Sequence, residues 1–158
     1  MDEKSLKSYL TGLYAGEILA SLDYSQAYDE SNEYHLSEET ADHLQEHFGE
    51  ETEHAVLLRK ELESRGWYEY ISMRELRRIS IPPADSFGGP LNEKYVLNYF
   101  IKAEKDAIAA YSDAIEKIKD GTFAGVENAE KLLKILEDIR ADEEEHKSDF
   151  EGILARLY

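Results

Sequence analysis

The chain has 158 residues, of which 42% are hydrophobic and 34% charged, and its net charge is −17. This composition is typical of one globular domain with a real core, and the negative charge opposes nucleic-acid binding, which depends on neutralising phosphates. No apolar run approaches the ~18 residues of a membrane span, and the absence of cysteine and of a signal-peptide pattern favours a cytoplasmic protein.

Apolar residues recur at helical spacing in four long stretches, for which we predict helices over about residues 5–30, 37–65, 92–120 and 126–157. All three prolines, Pro82, Pro83 and Pro90, lie between the second and third stretches. This crossover, residues 66–91, is too long for a simple turn, and residues 72–79 within it are a candidate short helix.

Short links join the first two helices and the last two, so each pair is expected to form an antiparallel hairpin. The predicted fold is therefore all-α: a single four-helix domain over residues 1–158, with two helical hairpins joined by a long crossover. No fifth helix is expected after the fourth. Four long helices with one long central connection are typical of ferritin-like bundles.

Each predicted helix carries one glutamate in the middle of its apolar stripe. An unpaired buried carboxylate is strongly disfavoured, so these glutamates must be protonated, paired or bound to metal. The second and fourth helices add a histidine three residues after the glutamate. Two adjacent metal ions would explain all six side chains, and a hydrogen-bonded polar layer without metal is the alternative. The six are Glu17, Glu51, His54, Glu104, Glu143 and His146.

Two tyrosines repeat at the same distance from a glutamate. Tyr24 lies seven residues after Glu17, and Tyr111 lies seven residues after Glu104. Such a tyrosine can hydrogen-bond to a carboxylate of an opposing helix or donate an electron during oxidation. A core tyrosine with a satisfied hydroxyl is the alternative, and the role stays open.

Three ionisable residues, Glu46, His47 and Glu50, form a cluster within about one turn before Glu51. A solvated acidic face is the favoured interpretation of this cluster, and the alternative, a role in iron entry, is implied only by the resemblance to bacterioferritins described next.

The sequence resembles the ferritin superfamily, and its predicted site is similar to bacterioferritin-type di-iron sites. This resemblance implies that Glu51 and Glu143 bridge two iron ions in each subunit. Glu17 and Glu104 would be terminal ligands, and one histidine would complete each ion; manganese or zinc can substitute for iron. The motifs that carry the resemblance are Ala15-Gly16-Glu17 with Tyr24, Glu51-x-x-His54, Glu104 in KAEKDAIAAY, and DEEEH ending at His146.

Proteins of this family oxidise Fe²⁺ with dioxygen or hydrogen peroxide and store the ferric product in a hollow shell. The resemblance therefore implies a ferroxidase that serves iron storage, protection against oxidative stress, or both. Two alternatives stay open: a rubrerythrin-like di-iron oxidase or peroxidase that forms no shell, and a bundle that binds metal without catalysis.

Three departures from the family patterns refine these expectations. Bacterioferritins hold haem through a methionine after the first bridging glutamate, where this chain has Thr52, so no haem is expected. Rubrerythrins add a glutamate at the position of Ala107. The 24-subunit ferritins use a further helix after the fourth, for which the twelve residues that follow His146 leave no room. We therefore expect a homo-oligomer, with a dodecamer favoured over a dimer or a 24-mer.

Overall fold

The computed structural model describes residues 3–83, 85–123 and 125–157, with side chains from residue 6 onward. Within these ranges the chain is helical and has no strand, which confirms the all-α class. The helices are α1 (Glu3–Asp29), α2 (Glu38–Ser64), α3 (Met73–Ile79), α4 (Glu93–Lys119) and α5 (Ala129–Leu157).

The predicted arrangement of four helices alone is wrong, because the described residues form five, and the candidate short helix of the crossover is confirmed. The additional helix is α3, a seven-residue helix within the crossover. Ser72 caps it by accepting a hydrogen bond from the backbone N–H of Glu75, and Arg77 and Arg78 in its last turn complement the helix dipole.

Capping side chains also fix the starts of α2 and α4. Ser37 accepts a hydrogen bond from the backbone of Thr40, and Asn92 accepts one from the backbone of Tyr95. The last helix begins at Ala129 rather than near residue 126. Asn128, the residue before it, has a left-handed backbone with φ of 53°, which a right-handed helix cannot include.

Cross-helix contacts show how the four long helices are arranged. α1 packs mainly on α2, and α4 packs mainly on α5, with further contacts between α2 and α5 and between α1 and α4. The apolar core forms two clusters. One contains Leu10, Leu58, Ile115 and Leu136, and the other contains Tyr24, Leu44, Phe100 and Phe150. A layer of buried polar residues separates the two clusters.

The crossover lies against α1 beside this polar layer. The backbone N–H of Ile81 donates to the carbonyl of Gly12 at 2.9 Å. A Cβ atom at Gly16 would lie 2.5 Å from the carbonyl oxygen of Ile81, so this close approach requires glycine. None of the helices in the described part of the chain is long and apolar enough to cross a membrane.

Candidate metal centre

The polar layer between the two apolar clusters consists of the six side chains that the sequence singled out. They come from all four long helices, and each is at most 3% exposed. One glutamate comes from α1, one from α4, and a glutamate and a histidine come from each of α2 and α5. The helical period explains this convergence, because it places each glutamate on the stripe that its helix buries.

The six side chains form two overlapping groups of four. Glu17, Glu51, His54 and Glu143 form one group, and Glu51, Glu104, Glu143 and His146 form the other. Within each group, one nitrogen or oxygen atom from every residue lies within 4.8 Å of the others. Glu51 and Glu143 belong to both groups, so each can offer one oxygen to either of two neighbouring cations.

Each of the six residues has one buried polar atom without a hydrogen-bond partner. Such an atom is costly in an apolar interior, and six in one layer call for a common partner. One cation in each group would satisfy all six, so the residues present fit a dinuclear metal site. The atoms are Glu17 Oε2, Glu51 Oε1, His54 Nδ1, Glu104 Oε2, Glu143 Oε1 and His146 Nδ1.

The separations between these atoms also fit metal ligands. His54 Nδ1 lies 3.0 Å from Glu143 Oε1, and His146 Nδ1 lies 3.2 Å from Glu51 Oε1. Both pairs are close, yet neither makes a hydrogen bond of acceptable geometry. Two ligand atoms that each lie about 2.1 Å from one cation are about 3.0–3.4 Å apart at octahedral or tetrahedral angles.

The opposite nitrogen of each imidazole is held by a carboxylate. His54 Nε2 lies 2.8 Å from Asp142 Oδ2, and His146 Nε2 lies 2.9 Å from Glu50 Oε2. A proton on Nε2 that is donated to the carboxylate leaves the Nδ1 lone pair free for a metal. Sequence reasoning missed Asp142 altogether and gave Glu50 no such role.

Hydrogen bonds from the two tyrosines connect α1 and α4, because each tyrosine reaches the buried glutamate of the opposite helix. Tyr24 donates to Glu104 Oε1, and Tyr111 donates to Glu17 Oε1, both at 2.5 Å. Each phenol therefore occupies one carboxylate oxygen and leaves the other, Oε2, among the unpartnered atoms of the layer. Tyr24 also stacks on Phe100, with ring centroids 4.2 Å apart.

Without metal, the layer holds protons tightly. Burial and the neighbouring carboxylates raise the pKa of Glu51 and of Glu143 well above the usual range. Burial alone would lower the pKa of His54, but contact with Glu17 and other carboxylates raises it to about 10. The same balance, dominated by Glu104 and Glu51, raises the pKa of His146 to about 11. A metal ion must therefore displace protons in order to bind.

This protonation predicts opposite pH responses for the metal-free and metal-loaded protein. The folded pKa values of His54 and His146 lie above the ordinary value of about 6.5, so the folded state holds protons that the unfolded chain has released. Stability of the metal-free protein should therefore fall as pH rises from about 7 to 10, whereas protein saturated with Zn²⁺ should keep its Tm. Thermal melts across this range test the expectation, and an unchanged metal-free Tm would contradict it.

The structure separates the three residues of the Glu46, His47 and Glu50 cluster. Glu46 is exposed, and Glu50 is half-buried against His146. His47 is buried, and its ring stacks on that of His146 with centroids 3.9 Å apart. Burial, together with the neighbouring imidazoles, lowers the pKa of His47 to about 2. The three residues therefore occupy three different environments.

Comparisons with known proteins identify the fold. No family model matches the sequence, and no curated protein matches it. The structure is similar to a solved structure of a dodecameric thioferritin, the bacterioferritin-related protein from Bacteroides fragilis, with a TM-score of 0.83 and 21% sequence identity. The match covers 98% of this chain and 86% of the other. The chain therefore has a ferritin-like helical fold, with buried carboxylate and histidine groups that are able to hold metal.

Proposed function

We propose that this chain is a ferritin-like di-iron protein that oxidises Fe²⁺ with dioxygen or hydrogen peroxide, for iron storage, for protection against oxidative stress, or for both. The observation that carries the proposal is the pair of four-residue groups that share Glu51 and Glu143. Six unpartnered buried atoms in one layer would destabilise the fold if nothing bound to them, but they are a suitable ligand set for two iron ions.

Two ferrous ions held side by side supply two electrons together, which with two protons reduce dioxygen to hydrogen peroxide or hydrogen peroxide to water. The protein supplies the geometry for this reaction. Glu51 and Glu143 would hold both ions and so set their spacing, and His54 and His146 would each complete one ion. Tyr24 and Tyr111 fix the terminal carboxylates by hydrogen bonds.

A cleft between α1 and α4 offers the oxidant a route to this layer. Its volume of about 80 Å³ is far below the roughly 300–1,000 Å³ of pockets that hold drug-sized molecules. The cleft therefore favours a small oxidant over a bulky organic substrate. Its apolar lining includes Leu13, Leu19, Ala20, Ile81, Pro82, Ala103 and Ala107, and it reaches Glu17, Glu51, Glu104 and Glu143.

Anaerobic titration with Fe²⁺ tests the proposal directly. We expect about two ions to bind per chain and to be oxidised together when dioxygen or hydrogen peroxide is added. The measurements are iron content after removal of weakly held ions and the optical band of the diferric product. Binding of no iron, or of one ion without a diferric band, would contradict the di-iron function. The same preparation also tests the expectation of no haem, since stoichiometric haem would give a Soret band.

Assembly separates a storage protein from a rubrerythrin-like oxidase or peroxidase. The thioferritin with the similar structure is dodecameric, and we propose the same state for this chain. Twelve chains of 18.2 kDa would form a closed particle of about 218 kDa. Light scattering or native mass spectrometry measures this mass. A stable dimer under iron-loading conditions would exclude a storage shell and favour the enzyme alternative.

A further inference from the structure

A second group of potential ligands lies beside the dinuclear layer, between α2 and α5. His43, His47 and Asp149 each place one nitrogen or oxygen atom within 4.8 Å of the others. None of these residues belongs to either dinuclear group. The group extends from the interior to the surface. The His47 side chain is 1% exposed, whereas those of His43 and Asp149 are 26% and 32% exposed.

Distances within this group match a mononuclear site. Asp149 Oδ2 lies 3.3 Å from His47 Nε2 and 3.6 Å from His43 Nδ1. Ligand atoms about 2.1 Å from one cation are about 3.4 Å apart at the tetrahedral angle. His43 Nδ1 is buried and has no hydrogen-bond partner among the described residues, so a cation would satisfy an atom that is otherwise unpartnered.

The surroundings of His43 favour a cation. A surface hollow at the start of α2 is lined by His43 and by four acidic residues, Glu38, Glu39, Asp42 and Glu46. A concave surface lined by carboxylates raises the local concentration of cations. On the inner side, His47 stacks on His146, which belongs to the dinuclear layer. The hollow, His43 with Asp149, His47 and His146 therefore form a continuous series from solvent to the centre.

We propose that His43, His47 and Asp149 bind one divalent cation, and that this site supplies Fe²⁺ to the dinuclear centre. Two imidazoles and one carboxylate suit Fe²⁺ and Zn²⁺, and water completes the coordination on the exposed side. Binding at this site does not depend on the ferroxidase function, whereas the supply of iron rests on it.

Zinc binding to two sets of variants tests the site. The metal-free protein is dialysed against Zn²⁺, and bound zinc is counted per chain. The wild type should bind three ions, and the H43A/D149N variant should bind two. The E51Q/E143Q variant, which lacks the bridging carboxylates, should retain one ion, and adding H43A and D149N to it should remove that ion. His47 stays unchanged throughout because its ring packs on His146.

The matched control is His35→Asn. His35 is an exposed histidine with φ of 56°, a backbone conformation that asparagine tolerates. This variant should bind three ions, and circular dichroism should show equal helix content in every variant. Equal zinc counts in H43A/D149N and the wild type, or no zinc on E51Q/E143Q, would overturn the site.

The kinetics of iron oxidation test separately whether this site supplies Fe²⁺ to the dinuclear centre. With limiting Fe²⁺, H43A/D149N should oxidise iron with a KM raised at least about tenfold and with kcat within about twofold of the wild type. An unchanged KM would overturn the supply role even if zinc binding is lost. If the wild type oxidises no Fe²⁺ while E51Q/E143Q still binds one zinc ion, the ferroxidase function is rejected. The cation site formed by His43, His47 and Asp149 is then still supported.

Discussion

Replacing Glu51 and Glu143 together with glutamine is expected to slow the oxidation of Fe²⁺ at least about 100-fold while leaving the helices folded. Both residues belong to both groups of potential ligands, so in the proposed centre the change would remove a shared ligand from each ion. Glutamine has nearly the same size as glutamate, so no cavity forms. Stopped-flow absorbance after mixing with Fe²⁺ and dioxygen measures the effect.

The metal-free form of this variant should be more stable than the metal-free wild type. Burial and neighbouring carboxylates disfavour ionisation of Glu51 and Glu143, and glutamine has no charge to desolvate. A metal-free variant with a raised Tm and slow oxidation would show that the wild type sacrifices stability for its ligands. This pairing of opposite effects distinguishes a metal ligand from a structural polar group.

Glu53 and Glu144 provide the matched control. They lie on the same two helices, within two residues of Glu51 and Glu143, but both are exposed. The E53Q/E144Q variant changes net charge by the same amount and should oxidise Fe²⁺ at the wild-type rate. Wild-type oxidation by E51Q/E143Q would instead mean that the buried layer is only structural.

The periodicity of the helices was sufficient to predict which side chains meet at the centre. Glu17, Glu51, Glu104 and Glu143 each interrupt an apolar stripe, and a stripe on a long helix faces the core. Their common depth follows from helix length and short hairpin links. Their use as ligands stays a prediction that the experiments above are designed to test.

The carboxylates behind the imidazoles were not predictable in the same way. Asp142 and Glu50 lie outside the apolar stripes and are half-buried. Which histidine each one reaches depends on the register between α2 and α5, and periodicity within one helix does not contain that information. A weak signal existed, because Glu50 directly precedes Glu51 and Asp142 directly precedes Glu143, so the two positions are equivalent in the two halves of the chain.

The position of the crossover on α1 also could not be predicted from the sequence, for a different reason. Prolines and glycines marked residues 66–91 as a break, but the position of this segment on α1 depends on Gly12 and Gly16. A Cβ atom at Gly16 would lie 2.5 Å from the carbonyl oxygen of Ile81, and one at Gly12 would lie 2.7 Å from the Ile81 side chain. In a sequence, a glycine inside a predicted helix indicates low helix stability. In this structure, Gly12 and Gly16 instead allow the crossover to pack closely on α1.

Replacing Asp142 with alanine is expected to weaken binding of the ion that His54 completes by about 10- to 100-fold. Asp142 Oδ2 lies 2.8 Å from His54 Nε2, so a carboxylate there favours the tautomer in which Nε2–H donates to Asp142 and Nδ1 is free for the proposed ion. Without this acceptor, the imidazole can rotate or protonate Nδ1. Glu50→Ala should have the same effect on the ion that His146 completes, because Glu50 is its only partner of this kind among the described residues. Zinc competition with a calibrated chelator resolves the two affinities.

A conservative substitution separates this positioning role from a loss of surface charge. Asp142→Asn retains an acceptor for the Nε2 proton, so its zinc affinity should lie between those of the wild type and Asp142→Ala. Asp138 lies one turn earlier on α5 and is exposed beside Lys134, so Asp138→Ala removes the same charge without touching an imidazole and should bind zinc normally. Equal losses in Asp138→Ala and Asp142→Ala would assign the effect to long-range electrostatics. A loss confined to Asp142→Ala, with partial recovery in Asp142→Asn, would assign it to the orientation of His54, since only the hydrogen bond differs between these variants.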